Sequence, residues 1–124
     1  MNVVDSSGWL EYFANGSNAD FFASAILDEA HLIVPTICMF EVFKRLSQQR
    51  GKDAALQAMG VLYRGHLAPL SDEIALQAAL VSMEHKLPLA DSVILATAHT
   101  YEARLWTQDE HFKDLAGVEY VEKR

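Results

Sequence analysis

Short apolar runs alternate with amphipathic segments along most of the 124 residues. Five apolar runs predict strands, at residues 2–5, 31–34, 66–70, 103–107 and 118–121. Pro69 falls in the third run and favours an edge position for it, because proline cannot donate to a strand ladder. Segments with helical periodicity separate most of the runs, which is typical of a parallel sheet covered on both faces. We therefore expect an α/β protein with a three-layer α/β/α arrangement around a central, mostly parallel sheet of about five short strands.

The helical segments carry recognisable start and stop signals. One helix is expected around Trp9, a second over residues 20–30, and a third that Thr36 caps and Gly51 ends. Further helices are expected over residues 53–63, over residues 74–84, and from Pro88 onwards. On the third helix, the apolar stripe is predicted to run through Ile37, Phe40 and Phe43, widened by Met39, Val42 and Leu46.

Composition limits the class of protein. The chain is 51% apolar and 22% charged, which is ordinary for a globular protein, and its length suits a single domain over residues 1–124. The first residues lack the basic start and apolar run of a signal peptide, and no apolar run approaches the roughly 18 residues of a membrane span. The one cysteine, Cys38, cannot form an internal disulfide and resembles a small buried hydrophobe. We expect a cytoplasmic protein with no membrane partner.

Residues 87–112 combine a helix, a short strand and two acids. Asp91 lies three and four residues before Ile94 and Leu95, so on a helix it shares their apolar face. A carboxylate on such a face is costly unless it is paired or bound to a metal. Asp109 follows the strand at residues 103–107, and open α/β folds bind their ligands beyond the carboxyl ends of strands. This stretch therefore predicts part of a functional site.

The first third of the chain supplies two further acids at comparable places. Asp5 ends the first strand, and Glu41 lies one turn into the helix after the second. Simpler roles exist for each acid: Asp5 and Asp109 could cap helical turns, and Asp91 could favour a helix dipole. Glu41 could pair with the basic residues three and four positions later. All four acids together at strand ends favour a shared site.

The net charge of −7 bears on the partner of such a site. A protein that binds nucleic acid through its surface is usually basic. Four acids around a divalent cation would leave the rest of the chain more nearly balanced, and the cation would reverse the local sign where a phosphate must lie. The charge is consistent with a metal-dependent phosphate enzyme, or with an acidic domain that meets a basic partner.

Three motifs, in this order, resemble the PIN-domain family and in particular its VapC-like toxin ribonucleases. The motifs are VVDSSGWLEYF, PTICMFEVFKRL and LPLADSVILATAHTYEARLWTQDEHF. The resemblance spans nearly the whole chain, although residues 51–84 carry little of it, and Glu102-Ala103 stands where the family often has a glycine. It implies a Mg²⁺- or Mn²⁺-dependent endoribonuclease that acts on RNA, a cognate antitoxin protein and a homodimer.

The resemblance also implies residue roles. The catalytic acidic quartet corresponds to Asp5, Glu41, Asp91 and Asp109, and the supporting hydroxyl residues correspond to Ser6 and Thr107. Mg²⁺ prefers oxygen ligands and keeps several waters, so a few carboxylates suffice. Our hypothesis is that the metal ligands are Asp5, Asp91 and Asp109, with the first two as the principal ones. Glu41 and Asp109 would ligate or orient waters.

Other residues have competing interpretations. Lys44 and Arg45 are candidate RNA contacts, and a solvated helix end explains them equally well. None of the five histidines shows a paired ligand spacing such as HExxH, which argues against a zinc site. The aromatic residues of the first two helices are expected mainly in the core, and any left exposed would suit a partner helix or a dimer face.

Two other function classes compete with the ribonuclease. A strand-end aspartate phosphatase or receiver-type domain would need a second acid two residues after Asp5, where this chain has Ser7. A catalytically silent PIN-like binding module would have no need for four acids at strand ends.

Overall fold

The five strands form one fully parallel sheet in the computed structural model, which describes residues 1–124. The strands are β1 (Asn2–Val4), β2 (Leu32–Pro35), β3 (His66–Ala68), β4 (Arg104–Thr107) and β5 (Val118–Tyr120). Their spatial order is β3-β2-β1-β4-β5, and every neighbouring pair is parallel. The expected sheet is confirmed, including the edge position of β3.

Six helices complete the three-layer α/β/α arrangement. They are α1 (Ser6–Phe13), α2 (Ala19–Ile26), α3 (Thr36–Arg50), α4 (Lys52–Leu62), α5 (Asp72–His85) and α6 (Leu89–Thr100). Two single 3₁₀ turns, Glu29–His31 and Glu110–Phe112, precede β2 and follow β4. No helix has the length and apolar character needed to cross a membrane.

Two helix ends differ from the sequence prediction. The helix expected over residues 20–30 stops at Ile26, because Asp28 leaves the helical region (ψ 68°) and its carboxylate contacts His31 Nδ1 at 2.9 Å. Such local side-chain contacts compete with helix continuation. Thr36 is not a cap but the first residue of α3, since Pro35, in extended backbone, occupies the cap position and offers no side-chain bond.

The core is built from the strands and the inner faces of the helices. Twenty-four buried apolar residues form its main cluster, among them Val3, Val4, Trp9 and Phe22 with no exposed surface. The stripe predicted for α3 is wrong at Phe40, whose surface is 63% exposed. The buried face of α3 instead consists of residues four positions apart, Cys38, Val42 and Leu46, which are stacked by the helical repeat.

The sheet order places two predicted site segments next to each other. The chain runs outward from β1 to β2 and β3 on one side, and returns to β4 on the other side of β1. Such a reversal of strand order leaves a crevice at the carboxyl edge of the sheet, where open α/β folds bind ligands. Val4 is in register with Trp106, and the Asp5 N–H donates to the Trp106 carbonyl oxygen at 3.1 Å. Asp5 and Thr107 therefore leave the sheet side by side.

Candidate metal centre at the strand ends

Asp5 is a buried carboxylate that accepts three hydrogen bonds within the protein. It is 3% exposed and caps α1: its Oδ1 accepts from the Gly8 N–H and from the Ser7 hydroxyl, both at 2.9 Å. Burial raises its pKa to about 6, although the hydrogen bonds from Thr107, Gly8 and Ser7 act in the opposite direction. Capping is thus one role of Asp5. A carboxylate that only caps a helix can stay exposed, whereas the burial of Asp5 disfavours its charged form.

The Thr107 hydroxyl joins Asp5 to Asp109. It donates to Asp5 Oδ2 at 2.6 Å and accepts from the Asp109 N–H at 2.9 Å, and its side chain is fully buried. Asp109 in turn caps the 3₁₀ turn Glu110–Phe112, because its Oδ1 accepts from the His111 N–H at 2.9 Å. One hydroxyl group therefore sets the separation of two of the predicted acids, which lie 104 positions apart in the chain.

Asp91 reaches the same place from the first turn of α6. Its Oδ2 lies 2.7 Å from His111 Nδ1, and that nitrogen lies 3.5 Å from Asp109 Oδ1. One carboxylate oxygen from each acid and one ring nitrogen all lie within 4.8 Å of one another. Partial burial raises the pKa of Asp91, and the hydrogen bond to Asp91 raises the pKa of His111. Two like charges are thus held close together at a shared opening.

Glu41 lies beside the same crevice without entering this group of three. Its Oε1 accepts from the Ser6 hydroxyl at 2.5 Å, which ties α3 to the start of α1. It forms no ion pair within 4.0 Å, so the simple pairing with Lys44 or Arg45 is wrong. Asp5 likewise supplies no atom to the group. The structure thus brings Asp91 and Asp109 together and leaves the other two acids at the margin.

The buried thiol of Cys38 shows how the four acids are distributed. Burial raises its pKa most, and the negative charges of Asp5, Glu41 and Asp91 raise it further. The charges of three carboxylates from separate parts of the chain therefore act on one thiol, while Asp109 acts on Asp5 by the same charge repulsion. Cys38 itself is fully buried with its Sγ 3.7 Å from the Val4 carbonyl oxygen, as expected of a small hydrophobe.

The donor atoms of this crevice fit a divalent cation. Carboxylate oxygens are the ligands that Mg²⁺ and Mn²⁺ prefer, and the group of three offers two of them within 4.8 Å of each other. Asp91 and Asp109 are partly exposed, with side-chain exposures of 18% and 32%, so an ion can reach them from solvent. A cation here would also relieve the repulsion among the acids.

Cationic side chains line the approach to the acids. Three shallow hollows adjoin: the first contains Glu41, Lys44 and Arg45, the second contains Arg45 and Lys123, and the third contains Lys123 and Asp109. The three cationic residues are exposed, and no carboxylate lies within 4.0 Å of their charged groups. Neighbouring hollows share Arg45 or Lys123, so the three lie in a row beside the acids, and we call this row the cationic track.

Two of these residues were missed in the sequence. His111 has no histidine partner at a ligand spacing in the sequence, yet in the structure it contacts two predicted acids. Its position two residues after Asp109, in the turn that follows a strand, was the available signal. Lys123 lies in the charged tail beyond β5, and nothing in the sequence indicates that the tail returns to the site.

The geometry disfavours an aspartate nucleophile. Both oxygens of Asp5 accept hydrogen bonds inside the protein, and its side chain is almost fully enclosed. Ser7, at the position where a phosphatase would carry its second acid, donates its hydroxyl hydrogen to Asp5 and supplies no carboxylate. Covalent attack on a phosphoryl group needs an Asp5 oxygen that is free and open to the substrate, whereas an oxygen that accepts one hydrogen bond can still ligate a small cation.

Comparison with known proteins supports the same three-layer fold. A search of curated protein sequences gave no significant match. Among solved structures, the chain is similar to a toxin–antitoxin complex from Klebsiella pneumoniae, with 21% identity, a TM-score of 0.82 and 96% of each chain covered. It is also similar to VapC20 from Mycobacterium tuberculosis, described as a sarcin-ricin loop cleaving toxin, with 15% identity and a TM-score of 0.78 over 96% of this chain and 98% of that one.

A third similar structure is VapBC2 from Rickettsia felis, bound to a DNA fragment from its promoter. The identity is 13% and the TM-score 0.75, over 96% of this chain and 97% of that one. At such identities these likenesses establish the three-layer fold. The sequence itself matches the family profile described as PIN domain over residues 3–118, nearly its whole length. The chain belongs to the PIN domain family.

Proposed function

We propose that this protein is the toxin of a toxin–antitoxin pair, a Mg²⁺- or Mn²⁺-dependent endoribonuclease that hydrolyses RNA phosphodiester bonds. The observation that carries the proposal is the convergence of Asp91 and Asp109, whose carboxylate oxygens lie within 4.8 Å of each other, while Asp5 is tied to Asp109 through Thr107. The PIN family includes nucleases that use divalent metals, and the similar solved structures are toxin–antitoxin proteins. Both facts support this assignment.

Asp91 and Asp109 would hold the metal directly, with Asp5 as the third acidic ligand. When bound, the ion supplies Lewis acidity that lowers the pKa of water and offsets charge on phosphate. Thr107 positions Asp5 through its 2.6 Å hydrogen bond, and it holds the Asp109 backbone through the 2.9 Å one. Glu41, held by Ser6, faces the crevice from α3 and would orient water.

RNA would follow the cationic track. Lys44, Arg45 and Lys123 flank the acids and have no carboxylate partner, so each can meet a phosphate without breaking an ion pair. To test this, RNA binding would be measured in an Asp91→Asn background, where cleavage is expected to be lost. Arg45→Ala and Lys123→Ala should each reduce the slope of log affinity against log salt by about 1. Lys52→Ala, exposed and outside the hollows, is the matched control.

Two exposed apolar surfaces would serve protein partners. One lies on α5 and α6 and comprises Leu76, Leu80, Met83 and Leu89, each more than half exposed. The other comprises Phe40 on α3, Leu56 on α4 and Tyr63 directly after α4. Large exposed apolar residues are typical of interaction sites. We assign the first group, in which Leu76, Leu80 and Met83 follow one face of α5, to a homodimer, and the second group to the antitoxin. A Leu80→Glu, Met83→Glu variant that kept the parent's dimeric mass in light scattering would contradict the dimer assignment.

The activity test uses the purified protein with RNA and with p-nitrophenyl phosphate, each with Mg²⁺, Mn²⁺ or EDTA. We expect RNA cleavage that EDTA abolishes and added Mn²⁺ restores, without turnover of the phosphomonoester. Asp91→Asn should lower the rate by at least about 10², the scale of loss of one strong electrostatic group in a site. Asp114→Asn changes the charge equally at an exposed position and should cleave like the parent.

The outcomes separate the three function classes. Cleavage that survives EDTA, or an Asp91→Asn variant as active as the parent, would refute the metal-nuclease proposal. Turnover of the phosphomonoester alone would favour a phosphatase. Loss of neither substrate would favour a catalytically silent binding module.

A further inference from the structure

We propose that His111 is a nitrogen ligand of the metal centre and that it shifts the selectivity of the centre from Mg²⁺ towards Mn²⁺. This inference rests on the proposed metal-dependent function. The acids alone would form an all-oxygen site, which suits Mg²⁺. An imidazole nitrogen suits first-row transition ions much better than it suits Mg²⁺. The ligand atoms, and not the acids by themselves, would then decide which ion the protein uses.

The geometry places one ring nitrogen at the centre of the group. His111 Nδ1 lies 2.7 Å from Asp91 Oδ2 and 3.5 Å from Asp109 Oδ1, and all three atoms lie within 4.8 Å of one another. Small adjustments of these side chains would let all three atoms meet one ion. The side chain of His111 is 55% exposed, so solvent rather than packed protein surrounds the rest of the ring.

The backbone holds His111 at this place. The N–H of His111 donates to Asp109 Oδ1 at 2.9 Å. Asp109 therefore holds the backbone of His111, whose ring lies in the same crevice. The next residue, Phe112, is fully buried and anchors the 3₁₀ turn in the core. The turn is thus attached on both sides of His111, and the ring is presented to Asp91 from a defined position.

The competing explanation is a surface ion pair that an ion simply displaces. Exposed pairs contribute only about 0–1 kcal/mol, so such a pair would neither hold the ring at the metal nor alter the choice of ion. The two explanations differ in whether nitrogen lies in the coordination shell of a bound ion. A spectroscopic measurement on the bound ion can decide this without any use of catalysis.

The experiment binds Mn²⁺ to the full-length protein and records its electron spin echo envelope modulation. Ligation by His111 predicts ¹⁴N modulation in the parent, its loss in His111→Gln, and its retention in His99→Gln, a control at the exposed end of α6. Calorimetry on the same variants gives the ratio of Mn²⁺ to Mg²⁺ affinity. His111→Gln should lower the Mn²⁺ affinity by at least about tenfold, the loss typical even of an outer-shell partner. The Mg²⁺ affinity should fall less, so the ratio should fall.

The outcomes distinguish this inference from the proposed function. Mn²⁺ that binds without ¹⁴N modulation, or an unchanged Mn²⁺ to Mg²⁺ ratio in His111→Gln, would overturn the role of His111. RNA cleavage sensitive to EDTA would still support the proposed function in that case. If Mn²⁺ binds to neither the parent nor His111→Gln, and RNA is not cleaved, both proposals are refuted.

Discussion

Asp5→Asn should stabilise the metal-free protein at neutral pH and not in acid. The substitution keeps the size and shape of the side chain while it removes a charge from the interior. Asp5 is 3% exposed, and burial raises its pKa from the ordinary 3.8 to about 6. The folded protein therefore favours the neutral form of this group, and ionisation above that pKa opposes folding.

The magnitude follows from the two pKa values. Below pH 3.8 both the folded and the unfolded chain hold the proton, so the group has no effect on stability. Between pH 3.8 and about 6 only the folded chain keeps it, and stability falls as the pH rises. Above that range the full cost is present. At about 1.4 kcal/mol for each tenfold change in proton affinity, the cost reaches about 3 kcal/mol.

Asparagine recovers most but not all of this energy. Its oxygen can accept from Gly8 and Ser7 as Oδ1 does, but its amide group would face the Thr107 hydroxyl that now donates to Oδ2. That hydroxyl must rotate, with a loss of about 1 kcal/mol for one hydrogen bond. We therefore expect Asp5→Asn to be about 2 kcal/mol more stable than the parent at pH 8 and about 1 kcal/mol less stable near pH 4.

The assay is urea unfolding of both proteins from pH 4 to pH 8 in EDTA, so that no divalent cation contacts the acid. With a slope of about 1–3 kcal/mol per molar urea, a 2 kcal/mol gain moves the midpoint by about 1 M. Asp114→Asn, at an exposed position, is the control and should give nearly the same difference at every pH. A difference for Asp5→Asn that is constant from pH 4 to 8, or that disfavours the variant at pH 8, would refute the reasoning.

Three further outcomes are expected. Thr107→Val removes the hydroxyl that bridges Asp5 and Asp109, so urea unfolding should show a loss of about 1–3 kcal/mol, whereas Thr107→Ser should retain most of the stability. Gly8→Ala would place its Cβ 2.6 Å from the Phe22 ring and 2.7 Å from Val4, and thermal unfolding should show a loss of stability of about 1–3 kcal/mol. Gly60 lies within α4 with open space where a Cβ would be added, so Gly60→Ala should gain about 0.5–1 kcal/mol of stability. Equal effects of the two substitutions would contradict the packing argument. Mn²⁺ at about 100 times its Kd should raise parent stability by about 2.7 kcal/mol in a thermal shift measurement, and an equal rise in Asp91→Asn would contradict direct ligation.

The local pattern of the sequence determined the elements and their order. Alternating apolar runs and helical segments predicted a mostly parallel sheet, and the structure confirms it with five parallel strands. Pro69 correctly marked β3 as an edge strand, and Gly51 correctly marked the end of α3. These features depend on residues close together in the chain, because the apolar periodicity of a strand or helix is set by neighbours a few positions apart.

Element faces and ends were less well determined. Phe40 belongs to the predicted stripe of α3, yet it is exposed, because the sheet receives the neighbouring face through Cys38 and Val42. Apolar periodicity cannot choose between two adjacent faces when both carry large side chains. The position of the partner surface makes that choice, and it is a property of the whole fold.

The candidate centre shows the same division. The sequence named Asp91 on a helix and Asp109 beyond a strand, but it could not show that their oxygens lie close to each other and to a histidine nitrogen. Asp5 is linked to Asp109 by Thr107 from a neighbouring strand, a contact across 102 positions that follows from the register of β1 and β4. Local pattern thus determined which acids end the elements. Only the tertiary structure decided which of them meet, because packing of distant segments sets the distances on which metal binding and pKa depend.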